Sequence, residues 1–349
     1  MKKAKINRLI HGQAPLRIND IGGWTDTWFA RQGRVQNLAI GPPVEVQIKG
    51  WSLAKEKRKR VRIIAENYKQ SFSFDPDNPS SGPHPLLQQA VNLVGVPADL
   101  ELEISLFSPV PPGMSTGTSA SVCVALIGSL LYLQNKSVDP NELASLAHQV
   151  ETQRLKQQCG IQDQLCATFG GPLFIEINQY PKNQVTKLAI KPELWAELER
   201  RLVLIYLGKP HLSTSLHETI IRRLETGEAS FRPLIKMAAL AERAKVALER
   251  GDLTAYGQIM IENNEWQRQL GAELISRQAD QVISLAKKFK ASGWKVNGAG
   301  GEGGSLTILA SPDDCWRRKM IEAIGNLGGG IRFLPLYLTS EGFKVWESH

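Results

Sequence analysis

Apolar positions along the chain recur with two spacings, and these divide it into strands and helices. Residues 14–18, 60–65, 70–74, 100–107, 172–177, 185–190 and 202–207 alternate or run apolar over strand lengths. A further strand-like run, 35–48, is broken at Gly41-Pro-Pro43, and 19–27 is turn-rich. Apolar residues at 85–94, 120–133 and about 139–158 follow the helical period, and a short helix follows Cys159. The second half opens with the strand 202–207 and a mostly helical block, about 213–292. Two strands then flank a glycine-dense loop, Gly298-Ala-Gly-Gly-Glu-Gly-Gly304. A helix at 313–326 and a strand at 331–338 finish the chain. This order predicts an α+β fold with an antiparallel sheet in the second half.

Composition narrows the class. With 349 residues, 42% hydrophobic and 22% charged, the chain is long enough for two globular domains, divided near residue 195 into 1–195 and 196–349. No apolar run is long enough to cross a bilayer, and no apolar signal core follows the basic N-terminus. The four cysteines include no C-x-x-C pair, so neither a zinc site nor a disulfide framework is expected, and the cytoplasm is. The net charge of +8 is concentrated partly in Lys55-Glu-Lys-Arg-Lys-Arg-Val-Arg62. No nucleic-acid fold motif accompanies that run, so it reads as a solvated hairpin or loop, and neither nucleic acid nor membrane is an expected partner.

Candidate chemistry gathers in four places. Ser108-Pro-Val-Pro-Pro-Gly-Met-Ser-Thr-Gly-Thr-Ser-Ala-Ser121 hands a strand over to a helix N-terminus, where unpaired N–H groups and the helix dipole suit an anion. It has neither a Walker lysine nor a Rossmann fingerprint, so backbone donors and the hydroxyls of Ser115, Thr116, Thr118 and Ser119 would have to hold phosphate; a plain Ser/Thr cap is the alternative. Glu151 and Asp163 form a carboxylate pair able to hold Mg²⁺ or orient a hydroxyl, unless they are a surface carboxylate and a helix cap. Arg17 with Gly22-Gly-Trp-Thr-Asp26 can neutralise a phosphoryl group and hold a polyol, or make an Arg–Asp ion pair in a turn. The glycines at 298–304 allow a close approach to a ligand or to the first loop, or simply a tight hairpin. His11, His211 and His217 read as loop or surface histidines.

These constellations, in this order, resemble the GHMP kinase family. Pro15-Leu-Arg-Ile-Asn-Asp-Ile-Gly-Gly-Trp-Thr-Asp26 resembles its N-terminal sugar-kinase motif, Pro111-Pro-Gly-Met-Ser-Thr-Gly-Thr-Ser-Ala-Ser121 its phosphate loop and Asn297-Gly-Ala-Gly-Gly-Glu-Gly-Gly304 its C-terminal glycine motif. Val150-Glu-Thr and Gly160-Ile-Gln-Asp-Gln-Leu-Cys-Ala-Thr-Phe-Gly-Gly171 match its Mg²⁺-ligand and catalytic-aspartate segments. Within the family, the Gly-Gly-x-Thr-Asp and Gln-Asp-Gln-x-x-Ala-x-Phe-Gly-Gly patterns resemble the branch containing heptose kinases and bacterial fucokinase domains. Ser115 and Thr116 depart from the usual glycine and leucine, and Glu302 interrupts a run usually glycine.

The resemblance implies two α+β domains, the first like domain 2 of ribosomal protein S5 and the second ferredoxin-like, with a cleft between them. It implies an ATP-dependent sugar kinase acting on a sugar or sugar phosphate at a hydroxyl, plausibly the anomeric one. ATP would bind at Pro112, Gly113, Ser115, Thr116, Gly117, Thr118 and Ser119. Mg²⁺ would bind at Glu151 with Ser119 or Thr118. Asp163 and Arg17 would be catalytic, and Gly23, Trp24, Asp26, Gly300 and Gly301 would meet the sugar. The rival readings are a kinase of a non-sugar alcohol and a non-catalytic ATP- and sugar-binding sensor.

Overall fold

A computed structural model describes residues 7–30, 32–53, 58–79, 82–210 and 213–348. The first half folds as β1 (Arg8–Ile21), β2 (Gly33–Ser52), β3 (Val61–Ala65), β4 (Gln70–Phe74), α1 (Pro85–Val94), β5 (Leu100–Phe107), α2 (Thr118–Leu133), α3 (Pro140–Gln149), α4 (Gln162–Phe169), β6 (Pro172–Gln179) and β7 (Lys182–Lys187). The second half contributes α5 (Pro192–Arg201), β8 (Leu202–Leu207), α6 (Ser213–Glu225), α7 (Arg232–Arg250), α8 (Leu253–Leu270), α9 (Arg277–Lys288), β9 (Gly293–Val296) and β10 (Ser305–Leu309). It ends with α10 (Asp314–Gly325), β11 (Ile331–Leu334), β12 (Tyr337–Leu338) and β13 (Lys344–Ser348).

Nine strands form one sheet, ordered β13-β1-β2-β5-β3-β4, with β12 and the β6–β7 hairpin attached along β2. Four form a second, antiparallel sheet, β11-β8-β10-β9. The fold is therefore α+β, as its pattern predicts. Helix α2 is apolar nearly all round and buries twelve residues, the signature of a helix enclosed by its neighbours. It packs on β1 and β2 and against α1, α3 and α4, in the core of the first half. A second core joins Leu16, Ile18, Leu38 and Ile40 of the large sheet to Leu240, Ala244, Tyr256 and Met260 of α7 and α8, so an apolar layer fixes the halves against each other. A third core lies under the small sheet, between Val282 and Ile283 of α9 and Met320 and Ile324 of α10.

Several local expectations are corrected. The run 35–48 does not break: β2 continues through Gly41-Pro42-Pro43, because its register with β1 jumps between Ala14 and Leu16 and places the donor-less prolines at a bulge. The helix expected over 139–158 stops at Gln149 and widens into a π-helical turn, Val150–Arg154, where Leu155 N–H donates to Val150 O and the Thr152 hydroxyl takes the His148 carbonyl. The final strand divides at Pro335, with β11 in the small sheet and β12 in the large one. Helix α5 and strand β13 were not anticipated. In the basic run, residues 55–57 lie outside those described, while Arg60 is buried, bonding Asp77 and the carbonyls of Val96 and Pro97. Among the described residues no helix is long and apolar enough to cross a membrane.

Candidate active site

The large and small sheets meet at a cleft of ≈ 610 Å³, and the loop before α2 forms its floor. Local geometry explains the loop's composition. Gly113, Ser115 and Gly117 take φ of 71°, 57° and 68°, so every second residue is left-handed. Alternating conformations of this kind turn successive N–H groups toward one side, an anion-binding concavity that ends at the N-terminus of α2. Ser115 pays a steric penalty there that glycine would not, on the order of 1 kcal/mol. Its hydroxyl is buried without a partner.

Arg17, on β1, reaches across this loop. Its Nε and Nη2 donate to Asp163 Oδ1 and Oδ2 at 2.6 and 3.1 Å, and its Nη1 to the Ser115 carbonyl at 2.5 Å. Burial works against the guanidinium charge, but Asp163 and Asp20 outweigh it and push the group above its ordinary range. Asp163 makes no capping bond in α4, and Arg17 pairs with Asp163 and, at 3.8 Å, with Asp20 rather than with Asp26. Gly117 is small for a reason: a Cβ there would lie 3.1 Å from Asp163 Cγ and 3.3 Å from Arg17 Cγ.

Glu151 owes its position to the π-helical turn, which swings it under α2. Ser119 Oγ donates to its Oε1 at 2.7 Å, and Gln164 Nε2 to its Oε2. Burial pushes its carboxyl up to about 7, although both hydrogen bonds pull the other way. Thr118 also lines the cleft, but its hydroxyl lies 3.3 Å from that of Thr116. A serine hydroxyl and a carboxylate are hard oxygen donors of the type Mg²⁺ prefers, and the Gln164 Oε1 beside them is buried and unpartnered.

Asp26 follows the turn 22–25 and is buried. It accepts the Gln162 N–H at 3.0 Å, and desolvation pushes it up to about 6. Gly160 makes room for it, since a Cβ there would fall 1.8 Å from Asp26 Oδ2. Trp24 also lines the cleft, its ring 4.6 Å from that of His217. Gly23 does not line the cleft; it packs over the Asp20 carboxylate.

The glycine loop divides in two. Gly298 and Ala299 line the cleft, Gly298 lying where a Cβ would meet Ser115 Cβ at 3.2 Å, so the close approach to the first loop is real. Gly300 and Gly301 turn away and pack on residues 274–275, with Gly301 N–H bonding Leu274 O. Their expected place against the sugar is not where the fold puts them. Glu302 is exposed and 4.0 Å from Lys209. His11 stacks on Trp346 on the large sheet, and His211 lies outside the described residues.

Sequence reasoning missed the supports. Lys295 is buried in β9, its Nζ 3.1 Å from Asp20 Oδ1. Burial would raise the Asp20 carboxyl, but Lys295, Arg17 and the Gly298 N–H hold it below the usual range. Asn297 accepts from Asn19 N–H and donates to Ser305, whose hydroxyl donates to the Met114 carbonyl of the first loop at 2.6 Å. The signal available was Asp20 and Asn297, polar residues embedded in quoted motifs, and a lysine inside a strand. Also missed was the apolar pocket of ≈ 290 Å³ beside the loop, bounded by Tyr68, His84, Leu106, Phe107 and Pro112.

The chain resembles known proteins in sequence and in fold. Residues 86–171 match the model of the GHMP kinases N terminal domain. The chain is 26% identical, over 85% of its length, to the bifunctional fucokinase/GDP-fucose pyrophosphorylase of Arabidopsis thaliana, and spans only 29% of that protein. It is 28% identical to the D-glycero-alpha-D-manno-heptose 7-phosphate kinase of Campylobacter jejuni, over 71% of each chain. A solved D-glycero-D-manno-heptose 1-phosphate kinase from Bacteroides thetaiotaomicron shares the fold, with a TM-score of 0.76 at 20% identity over 97% of this chain and 99% of that one.

Proposed function

From the premise that the chain carries a GHMP kinase N-terminal domain, we propose that it is an ATP-dependent sugar kinase. The observation that carries this reading is the convergence of the anion-binding loop, the Ser119–Glu151 pair and the Arg17–Asp163 pair on one cleft. ATP would lay its phosphates on residues 112–119 and its base in the apolar pocket beside them, where Tyr68, His84 and Phe107 supply ring faces. Ser119 and Glu151 would hold Mg²⁺, which neutralises phosphate charge when bound. The direct Ser119–Glu151 contact supports Ser119 over Thr118 in that role.

Catalysis on this reading is positioning plus charge stabilisation. A carboxylate offers about four lone-pair positions, so Asp163 can bind Arg17 through both oxygens and still accept a substrate O–H. Its role is to orient that hydroxyl and take its proton as the phosphoryl group moves. Arg17 fixes the carboxylate and faces the transferring charge. Asp26 and Trp24 would hold the sugar, which supports a sugar over a non-sugar alcohol, and the complete catalytic set supports an enzyme over a sensor. We divide the chain into working halves at about residue 195, the second sending β12 and β13 back to the first sheet, and place the protein in the cytoplasm, where its free cysteines fit. The test is ADP release across free sugars and sugar phosphates, with NMR of the product to locate the new phosphate. Absence of acceptor-dependent ADP release across such a panel would refute it.

A further inference from the structure

The sugar kinase reading leaves open whether the acceptor already carries a phosphate, and the charges around the cleft speak to this. Among the described residues, Arg17 is the one lysine or arginine lining it, and it sits at the phosphate loop, bonded to Asp163 and the Ser115 carbonyl. Away from the phosphate loop the lining includes Asp26 and Glu218, the amides Gln158 and Gln162, and the rings of Trp24 and His217. A phosphate monoester brings between one and a half and two negative charges and is recognised by arginine forks, lysines or arrays of N–H groups. Here it would face Asp26 and Glu218 with no described Lys or Arg lining the cleft beyond Arg17 at the phosphate loop, beside a triphosphate that is itself anionic. Like charges in a partly desolvated cleft repel more strongly than in water.

The same lining suits a neutral polyol. Asp26 presents acceptors, and Gln158 is steadied by the Trp28 indole at 2.7 Å, which leaves the amide NH₂ free to donate. The Trp24 side chain is 4% exposed, and its indole Nε1 is buried without a partner. Its ring packs against those of His217 and Phe29 and forms an apolar wall behind this end of the cleft.

We propose that the acceptor is an uncharged monosaccharide and that sugars already bearing a phosphate are excluded by the carboxylates at this end of the cleft. The inference rests on the sugar kinase reading, and two measurements separate the two. The first is calorimetry on the full chain with Mg·ADP, titrating free aldoses and deoxy-aldoses against their phosphate monoesters. The second is kcat/KM for the same panel by ADP release. The expected result is a preference for the best free sugar of about 100-fold or more in both, from charge repulsion alone. E218R is expected to narrow that gap about tenfold by improving the phosphates. A phosphate monoester that binds or turns over as well as the best free sugar overturns the inference. Selective binding of free sugars without turnover would sustain it and refute the catalytic reading instead.

Discussion

Both oxygens of Asp163 accept hydrogen bonds from the single guanidinium of Arg17, at 2.6 and 3.1 Å, across 146 residues of sequence. The fork fixes the plane of the carboxylate as no ammonium can. D163N keeps the shape but removes the charge and the proton acceptor, and is expected to lower kcat by 10²–10⁴-fold, the usual worth of a positioned acid or base. R17K, which cannot bridge both oxygens, is expected to lose on the order of 10²-fold in kcat. Mg·ATP affinity, read by calorimetry, should move only a few-fold in D163N. Wild-type turnover by D163N would remove Asp163 from the chemistry.

Gly160 tests the sugar end independently. An alanine Cβ would sit 1.8 Å from Asp26 Oδ2 and 2.3 Å from its Cγ, so the carboxylate must leave its place on the Gln162 N–H. G160A should raise KM for the sugar about tenfold or more while KM for ATP stays near wild type, because only an acceptor-side contact is lost. Equal changes in both would mean that the substitution disturbs the whole cleft.

How much of this was readable in advance depends on whether a residue acts through local pattern or through distant partners. The loop before α2, the Arg17 segment and the carboxylates at 151 and 163 sit in contiguous motifs, and the fold brings them to one cleft. Glu151 was read on a regular helix, because nothing in apolar spacing announces the π-helical turn that places it under Ser119. Gly300 and Gly301, and not Gly298, were expected at the sugar, yet contact with residues 274–275 turns them away and leaves Gly298 facing the cleft. Lys295 reads as a solvent-facing strand residue until Asp20, far away in sequence, is placed against it. The return of β13 to the first sheet depends on where the chain end can pair, which periodicity does not encode.

Ser119 and Thr118 can be told apart by metal dependence. Ser119 Oγ is 2.7 Å from Glu151 Oε1, whereas the Thr118 hydroxyl lies 3.3 Å from that of Thr116. S119A is expected to raise the Mg²⁺ concentration for half-maximal activity about tenfold, and T118A to shift it far less, since loss of a metal-site partner costs about 10- to 100-fold. The reverse ranking would move the metal hydroxyl to Thr118.

Lys295 and Asp20 are each 1% exposed and 3.1 Å apart, joining the small sheet to the large one beneath Gly298. K295M should cost on the order of 3–5 kcal/mol in urea unfolding, because it leaves Asp20 buried with less compensation. Adding D20N to K295M should recover part of that loss, since the uncompensated charge goes with it. Strictly additive losses would mean that the two groups do not stabilise the interface as a pair.

The carboxyl of Glu151 makes stability depend on pH in a direction that can be isolated. Its burial raises it from 4.5 to about 7. Between those values the folded chain holds a proton that the unfolded chain has released, so this group's contribution is complete below about 4.5 and is lost as pH rises through 7. Asp26, pushed up to about 6, acts in the same sense, and His148, pushed down to about 4 by burial, acts in the opposite one. The total pH profile therefore mixes these with other shifted groups, such as His84, pushed down by burial, and Asp20, held low by Lys295 and Arg17. A comparison with E151Q removes the others, because they titrate alike in both proteins. Glutamine has no proton to lose, so the stability of E151Q relative to wild type should grow between pH 4.5 and 7, by on the order of 3 kcal/mol, and then level off. Urea unfolding of the two ligand-free proteins across that range measures the gap, and one that stays constant would show that Glu151 ionises in the folded protein as it does in the unfolded chain.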